Sequence, residues 1–303
     1  MASKIYKLTF LTPVRFGLLS NTASEVGFHA DTLFSALFLA FLESGKEQAF
    51  LDTVKEGRLL FSDGMPFCGD ELYLPRPVGV YPQSVDAETD PSTRKLLKKV
   101  QWVALGSFQA WLTGGVRPEN LAARFGQPVE RTRVNKRGEE PMPYQVEGFR
   151  FDTGCGLYII AQAASEEELS LMDEGMKLLT ANGIGALKSS GWGKFSFVSE
   201  EVPGKLQACL DDTQIGCQML LSIALPAESE GKEAVEGANY VLAQRGGYTA
   251  SASSATLKQT MWLFAPGSTF KGRFSGEILD VSTNAPHPAW RCAKAMMMGV
   301  RAE

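Results

Sequence analysis

The sequence predicts an α+β protein, and three observations carry that expectation. Short runs such as Ile5–Phe10 (IYKLTF) alternate apolar and polar residues, as a strand with one buried face does. Two segments, behind Asp31 and behind Ser165, carry apolar residues at i, i+3, i+4 and i+7, the stripe of a core-facing helix. Over residues 1–202 the elements run strand, helix, strands, strand, helix, strand, which suits a ferredoxin-like βαββαβ unit carrying an insertion.

Taken in order, Ile5–Phe10 is the first strand, closed by the Pro13–Gly17 stretch. Asp31 stands at the expected N-cap of a helix whose inward stripe is Leu33, Phe34, Leu37, Phe38 and Phe41, ended by Gly45. Strands are expected around Arg58–Phe61 and Glu71–Leu74, set off by Asp63-Gly64 and Gly69-Asp70 turns and stopped by Pro75 and Pro77. Residues 81–145 read as the insertion: a polar, turn-rich start, a helix from Ser92 to about Leu105, then two strands joined by a loop at Lys136–Pro143. Gly156–Ala163 is a buried strand, and Ser165 with Glu168 makes a capping box for a helix with Leu169, Met172, Met176 and Leu179 inward and Asn182-Gly183 at its end. Lys194–Ser199 is the next strand, and Pro203–Asp212 a polar link. Beyond it, strands are expected at Gln218–Ala224, Tyr240–Arg245, Gln259–Phe264, Gly272–Val281 and Met296–Val300. Residues 203–303 therefore form a second, smaller, strand-rich domain.

The 303 residues are twice a common domain length of ~150, which agrees with two domains or one large domain with insertions. With 44% hydrophobic and 21% charged residues, the chain has the composition of a folded globular protein. No apolar run reaches the ~18 residues of a membrane span, and the opening MASKIYKLTF has no charged-then-apolar leader, so a cytoplasmic protein is expected. Five cysteines, Cys68, Cys155, Cys209, Cys217 and Cys292, lack CxxC spacing and are expected to be reduced, buried and free of zinc.

A net charge of −4 argues against coating nucleic acid by an overall positive field. The local balance differs. Between Arg94 and Arg137 ten basic residues, Arg131 and Arg133 among them, face only Glu119 and Glu130. A solvated face and a nucleic-acid surface are both compatible with that run.

The clearest motif is Gly183-Ile-Gly185-Ala-Leu-Lys188-Ser189-Ser190-Gly191-Trp192-Gly193-Lys194, between a helix end and a strand. Glycine lets a backbone approach phosphate closely, successive N–H groups can cup an anion, and Lys188 and Lys194 add charge. The loop lacks the GK[ST] ending of a phosphate-hydrolysing loop, and its helix-then-strand order is the reverse of a dinucleotide fingerprint. Tight turning alone would also account for the glycines. Trp102, Trp111, Trp192 and Tyr248 lie near basic residues, where aromatic faces can stack unpaired bases, although core packing is the commoner use of tryptophan. Of two histidines, His287 sits between prolines, and His29, two residues before Asp31, is either a hydrogen-bonded structural residue or a general base. No spacing of carboxylates, serines or histidines marks a nucleophile or metal cluster, so no catalytic residue, metal or cofactor is assigned.

Four strings carry a family resemblance. FHADTLFSAL (Phe28–Leu37), GIGALKSSGWGKF, GSTFKGRFSGEILDV and HPAWRCAKAMMMGV resemble, in that order, the fourth-subunit family of type III-A (Csm) CRISPR effector complexes, a branch of the RAMP proteins. The resemblance implies two ferredoxin-like (RRM-like) RAMP domains, with the basic insertion as a thumb near the guide–target duplex. It implies a non-catalytic subunit that binds the 5′ repeat-derived tag of crRNA and contacts the large polymerase-like subunit and a backbone RAMP subunit. The family's RNA-holding loop falls on Gly183, Gly185, Lys188, Ser189, Ser190, Gly191, Trp192, Gly193 and Lys194, with Arg131, Arg133 and His29 as further candidates. One departure is Leu187, which stands where a second basic residue is frequent. The competing expectation is a metal-independent endoribonuclease of the same superfamily, with His29 as acid or base.

Overall fold

The computed structural model describes residues 1–17, 24–80, 97, 99–115, 123–135, 141–249, 256–283 and 287–301. Its centre is a seven-stranded antiparallel sheet. The strands are β1 (Ala2–Phe10), β2 (Leu59–Phe61), β3 (Met65–Cys68), β4 (Glu71–Pro75), β5 (Trp102–Ala104), β8 (Cys155–Ala163) and β9 (Phe195–Glu201). Their order is β5-β4-β3-β8-β1-β9, with β2 beside β3 along the same edge of β8. With α1 (Ala30–Ser44) after β1 and α4 (Glu166–Asn182) after β8, this is a β-α-β-β-α-β path whose fourth strand lies outside the first.

Every residue of β8 is buried, as its apolar run, interrupted only by Gln162, requires of a strand covered on both faces. One face carries Leu157, Ile159 and Ala161 against Leu33, Phe34, Leu37 and Phe41 of α1 and Leu169, Met172, Met176 and Leu179 of α4. The opposite face carries Tyr158 and Ile160, with Ile5 of β1, against Leu206, Leu210, Met219, Leu221, Met296 and Met298. The second cover comes from the C-terminal residues, so the two parts of the chain share a core.

Between β4 and β8 lie β5, the short helix α3 (Leu105–Leu112) and a ribbon of β6 (Gly126–Asn135) and β7 (Met142–Phe151). The expected helix from Ser92 to about Leu105 ends earlier: Leu97 and Lys99 are helical and residues 92–96 and 98 lie outside the described residues, but Trp102–Ala104 pairs with β4, and the valine and tryptophan there suit a strand better than a helix. The helix α2 (Glu47–Lys55), with Phe50, Leu51 and Val54 buried, follows α1 where no element was expected. Likewise the Pro203–Asp212 link is the helix α5 (Gly204–Asp211): Pro203 stands at its N-cap, and Leu206 and Leu210, at i and i+4, reach the core.

Residues 213–301 supply β10 (Gln218–Leu220), β11 (Leu242–Arg245), β12 (Met261–Phe264), β13 (Thr269–Phe270), β14 (Gly276–Asp280), β15 (Trp290–Lys294) and β16 (Met297–Gly299). They pair as β13-β10-β16, β11-β12 and β14-β15. No α-helix lies among the described residues of this part.

Two corrections concern single residues. Cys68 and Cys155 are partners in the β3–β8 register, 4.1 Å apart at Cα, and are joined as a disulfide rather than reduced. Their separation of 87 positions hides a pairing that only strand register creates. Asp31 is not the cap of α1. His29 holds the N-cap position, and Asp63 reaches across to accept the Ala30 amide at 2.8 Å. Asp31, in the first turn, is buried and accepts Arg245 at 3.0 and 2.8 Å, with Arg291 at 3.6 Å.

Candidate nucleic-acid interface

The glycine-rich segment leaves α4 through Gly183, whose φ of +71° ends the helix. It folds back on itself and onto residues 11–15. Ile184 N–H donates to Gly193 O at 3.0 Å, Gly193 N–H to Pro13 O at 2.9 Å, Ala186 N–H to Arg15 O at 3.0 Å, and Lys194 N–H to Thr12 Oγ1 at 3.1 Å. Gly193 must be glycine: its φ is +76°, and a Cβ there would fall 2.0 Å from Ile184 O. Much of the glycine content thus closes the loop.

An anion-receiving edge remains at its tip. The successive amides of Leu187, Lys188 and Ser189 donate to no acceptor among the described residues, while Ser190 and Gly191 turn back to Leu187 O and Lys188 O at 2.9 Å each. Leu187 itself sits at φ +64°, the one non-glycine residue with positive φ among those described. A left-handed residue followed by right-handed ones directs consecutive N–H groups to one side, as an anion nest does. Lys188 and Ser189 are exposed on this tip, and Lys194 is exposed at the far end of the loop.

Trp192 is not a stacking platform. It is 6% exposed, and its ring lies over Gly148 of β7, where a Cβ would come within 2.2 Å of it. Its work is to peg the loop to the root of the β6–β7 ribbon, which Val14 and Phe149 also secure with two 2.8 Å backbone hydrogen bonds. Arg15 adds a guanidinium hydrogen bond to Glu147 O.

The peg fixes where the ribbon's arginines lie. Directly opposed residues share a face, and the register pairs Val129 with Gly148, Arg131 with Val146, and Arg133 with Tyr144. Arg131 and Arg133 therefore extend outward along the face that Trp192 covers at Gly148. Neither makes an ion pair among the described residues. The half-exposed ring of Tyr144, opposite Arg133, joins them, although nothing in its sequence surroundings singles it out. Of the ten basic residues of the insertion, Arg124 is paired with Asp152 at 3.2 Å and Lys99 is exposed. Arg94, Lys95, Lys98, Arg117, Lys136 and Arg137 lie outside the described residues.

His29 belongs elsewhere. Its Nδ1 meets Asp63 Oδ2, its Nε2 lies 3.7 Å from Glu25, and its carbonyl accepts the Thr32 and Leu33 amides. Burial works against its charged form, but the adjacent Asp63 carboxylate prevails and raises its pKa. Asp63 also accepts the Ile223 amide at 2.8 Å, so this network joins α1 to the C-terminal part. Among the described residues no three His, Cys, Asp or Glu side chains converge to hold a metal, and no helix is long and apolar enough to cross a membrane.

The family model of the CRISPR Csm4 C-terminal domain matches residues 213–300. The chain is 33% identical to the CRISPR system Cms protein Csm4 of Streptococcus thermophilus, over 98% of each chain. It is 30% identical to that of Mycobacterium tuberculosis strain H37Rv, over 99% of this chain and 98% of the relative. In fold it is similar to a chain of the Csm3-Csm4 subcomplex of the type III-A CRISPR-Cas interference complex (TM-score 0.68, 15% identity, 99% and 100% covered). It is also similar to a chain of the Csm1-Csm4 cassette with cA4 (TM-score 0.63, 21% identity, 98% of each covered).

Proposed function

This chain belongs to the Csm4 family of type III-A CRISPR proteins, and from that premise we propose that it is the non-catalytic subunit that holds the 5′ repeat-derived tag of crRNA. The observation that carries the reading is the loop tip: the successive amides of Leu187, Lys188 and Ser189, without an acceptor among the described residues, on a loop pegged to a ribbon whose Arg131 and Arg133 share its covered face. Backbone amides and cations together suit the phosphates of a single strand. The β-α-β-β-α-β sheet is the ferredoxin-like RAMP unit of this reading, the C-terminal strands its second, degenerate RRM-like unit, and the β6–β7 ribbon its thumb beside the target RNA.

In the complex the subunit joins the large polymerase-like subunit to a backbone RAMP subunit in antiviral defence, within the cytoplasm. Chains of similar fold occur in a Csm1-Csm4 cassette and in a Csm3-Csm4 subcomplex, which supports a two-sided role. The endoribonuclease alternative needs His29 available for proton transfer. Its Nδ1 is committed to Asp63, which in turn holds two backbone amides.

The direct test is the double variant Lys188→Ala/Lys194→Ala in the assembled complex. Guide RNA retention should fall at least tenfold at physiological salt, with the melting temperature unchanged because both side chains are exposed. Full retention would remove the loop from the RNA path.

A further inference from the structure

A disulfide stands where the β6–β7 ribbon joins the central sheet. Gly69 N–H donates to Gly154 O at 2.8 Å, one rung beyond the Cys68–Cys155 pair of the β3–β8 ladder. Hydrogen-bonded and non-hydrogen-bonded pairs alternate along an antiparallel ladder, so Cys68 and Cys155 occupy a non-hydrogen-bonded rung, where side chains come closest. The bond between their sulfurs is therefore an addition to the ladder and replaces none of its hydrogen bonds.

Directly opposed residues share a face, and so do alternate residues along one strand. Cys155 of β8, Cys68 of β3, and Glu71 and Tyr73 of β4 accordingly lie on one face of the sheet. On that face Tyr73 packs edge-on against Phe125, the residue before β6, with ring centroids 4.8 Å apart. From Phe125 the path back to the disulfide is short. Asp152 N–H donates to Phe125 O at 2.9 Å, Cys155 N–H donates to Asp152 O at 3.0 Å, and Arg124 pairs with Asp152 at 3.2 Å. The ribbon is thus rooted twice: Trp192 pegs it at Gly148, and the disulfide clamps the start of the strand into which β7 runs.

This position leaves the bond open to small reagents. Cys155 is buried, but Cys68 is half-buried, and Gly69, Asp70, Thr153 and Gly154 around the pair are exposed. A Cβ at Gly69 or at Gly154 would meet nothing within 4 Å, so no other described part of the chain roofs these turns. The fold does not depend on the bond. Met65 and Phe67 of β3 share a buried cluster with Tyr158 and Ile160 of β8, in a chain well beyond the size at which a domain needs a crosslink. Cys209, Cys217 and Cys292 form no disulfide.

We propose that Cys68–Cys155 is a reversible oxidation site, exchanged by low-molecular-weight thiols and disulfides of the glutathione class, that locks the root of the β6–β7 ribbon when closed and loosens it when open. In opening, a small thiolate attacks Sγ of Cys68, the more accessible sulfur, and Cys155 leaves as a thiolate that takes up a proton. A second small thiol then attacks the mixed disulfide, freeing Cys68 as a thiol and leaving the two small thiols joined as their own disulfide. Two electrons pass from the small thiols to the cysteines, and closing runs the same steps backward. The pairing stands on the geometry alone. Its reversibility rests on the cytoplasmic setting proposed above, where accessible disulfides are transient or redox-sensing.

The test uses the full chain co-purified with its neighbouring subunits, equilibrated in glutathione buffers from fully reduced to fully oxidised, then quenched with acid and alkylated. Peptide mapping should find the Cys68 and Cys155 peptides linked in oxidising buffer and separately alkylated in reducing buffer, and the change should reverse on return. Hydrogen exchange in the same samples should rise roughly fivefold on reduction at residues 124–128 and 148–155, with α1 and α4 unchanged, as local opening of one unit predicts. Cys68→Ser with Cys155→Ser should show the faster exchange in both buffers.

Three results would overturn the proposal: cysteines that stay thiols in oxidised glutathione, a bond that glutathione reduces only after denaturation, or ribbon exchange that is the same in both states. The wild-type comparison decides the matter even if the serine variant fails to fold. Absence of RNA from the complex would count against the proposed function, while the mapping and exchange readouts would still decide the oxidation site.

Discussion

Asp31 and Lys188 are both charged residues in the strings that matter, yet their removal should have opposite consequences. Asp31 is buried, and the Arg245 guanidinium, helped by Arg291, holds its carboxyl below the usual range although burial pushes the other way. Asp31→Ala would strand the buried Arg291 and the partly buried Arg245, and breaking such a pair costs about 3–5 kcal/mol; chemical denaturation should show a loss of that size, with RNA contacts of the surviving folded fraction intact. Lys188, exposed and unpaired among the described residues, should cost nothing in stability. In the binding assay each of Lys188 and Lys194 should flatten the slope of log affinity against log salt by about 0.7, the release expected per single-strand phosphate. At this scale the sequence disclosed types and not environments. The FHADTLFSAL string marks Asp31, but its partners Arg245 and Arg291 lie more than 200 positions away, and no local pattern announces that they converge. Trp192 was equally ambiguous between a stacking face and a peg until β7 was seen to present Gly148 beneath it.

Among the elements, the β6–β7 ribbon depends on that peg. Truncating Trp192 to alanine should cost about 3–5 kcal/mol, as core tryptophan truncations do, and limited proteolysis should then cut the ribbon before the sheet. Helix α4 carries a different dependence. The Ser165 hydroxyl first, and Arg58 with it, hold the Glu168 carboxyl down to about 2 from an ordinary 4.5. A depressed carboxylate contributes stability above its unfolded value and loses it as pH falls through the folded one. Urea midpoints of wild type and Glu168→Gln should therefore differ at neutral pH and converge between pH 4.5 and about 2. That cap was legible from Ser165 and Glu168 three residues apart, as were the stripes of α1 and α4 and the alternation of β1 and β9, because each is a local pattern. What escaped was short or weakly patterned: α2 shows only three apolar anchors, α5 hides behind a proline that begins rather than breaks it, and β3 is four residues inside what reads as turns.

Across the whole molecule, charge is segregated. Glu43, Glu47, Asp52, Glu56, Glu167 and Glu174 lie on the helical side, on or beside α1, α2 and α4, whereas the ribbon and loop tip carry Arg131, Arg133, Lys188 and Lys194. An acidic back repels a polyanion and a basic front receives it, so a net charge of −4 is compatible with holding RNA along one face. Because His29 is raised by Asp63 at the junction of the two parts, its contribution to stability is complete below its ordinary 6.5 and lost as pH rises through the higher folded value. Asp63→Asn should abolish that alkaline decline, and melting temperatures across pH 6 to 9 would read it. The central claim, that this chain holds the common end of a guide, is tested most directly by expressing it with its neighbouring complex subunits, purifying through it and sequencing the RNA that follows. The account predicts guides of many sequences sharing one repeat-derived 5′ end, crosslinked to the segment from Gly183 to Lys194; recovery of no RNA, or of RNA without a shared 5′ end, would contradict it.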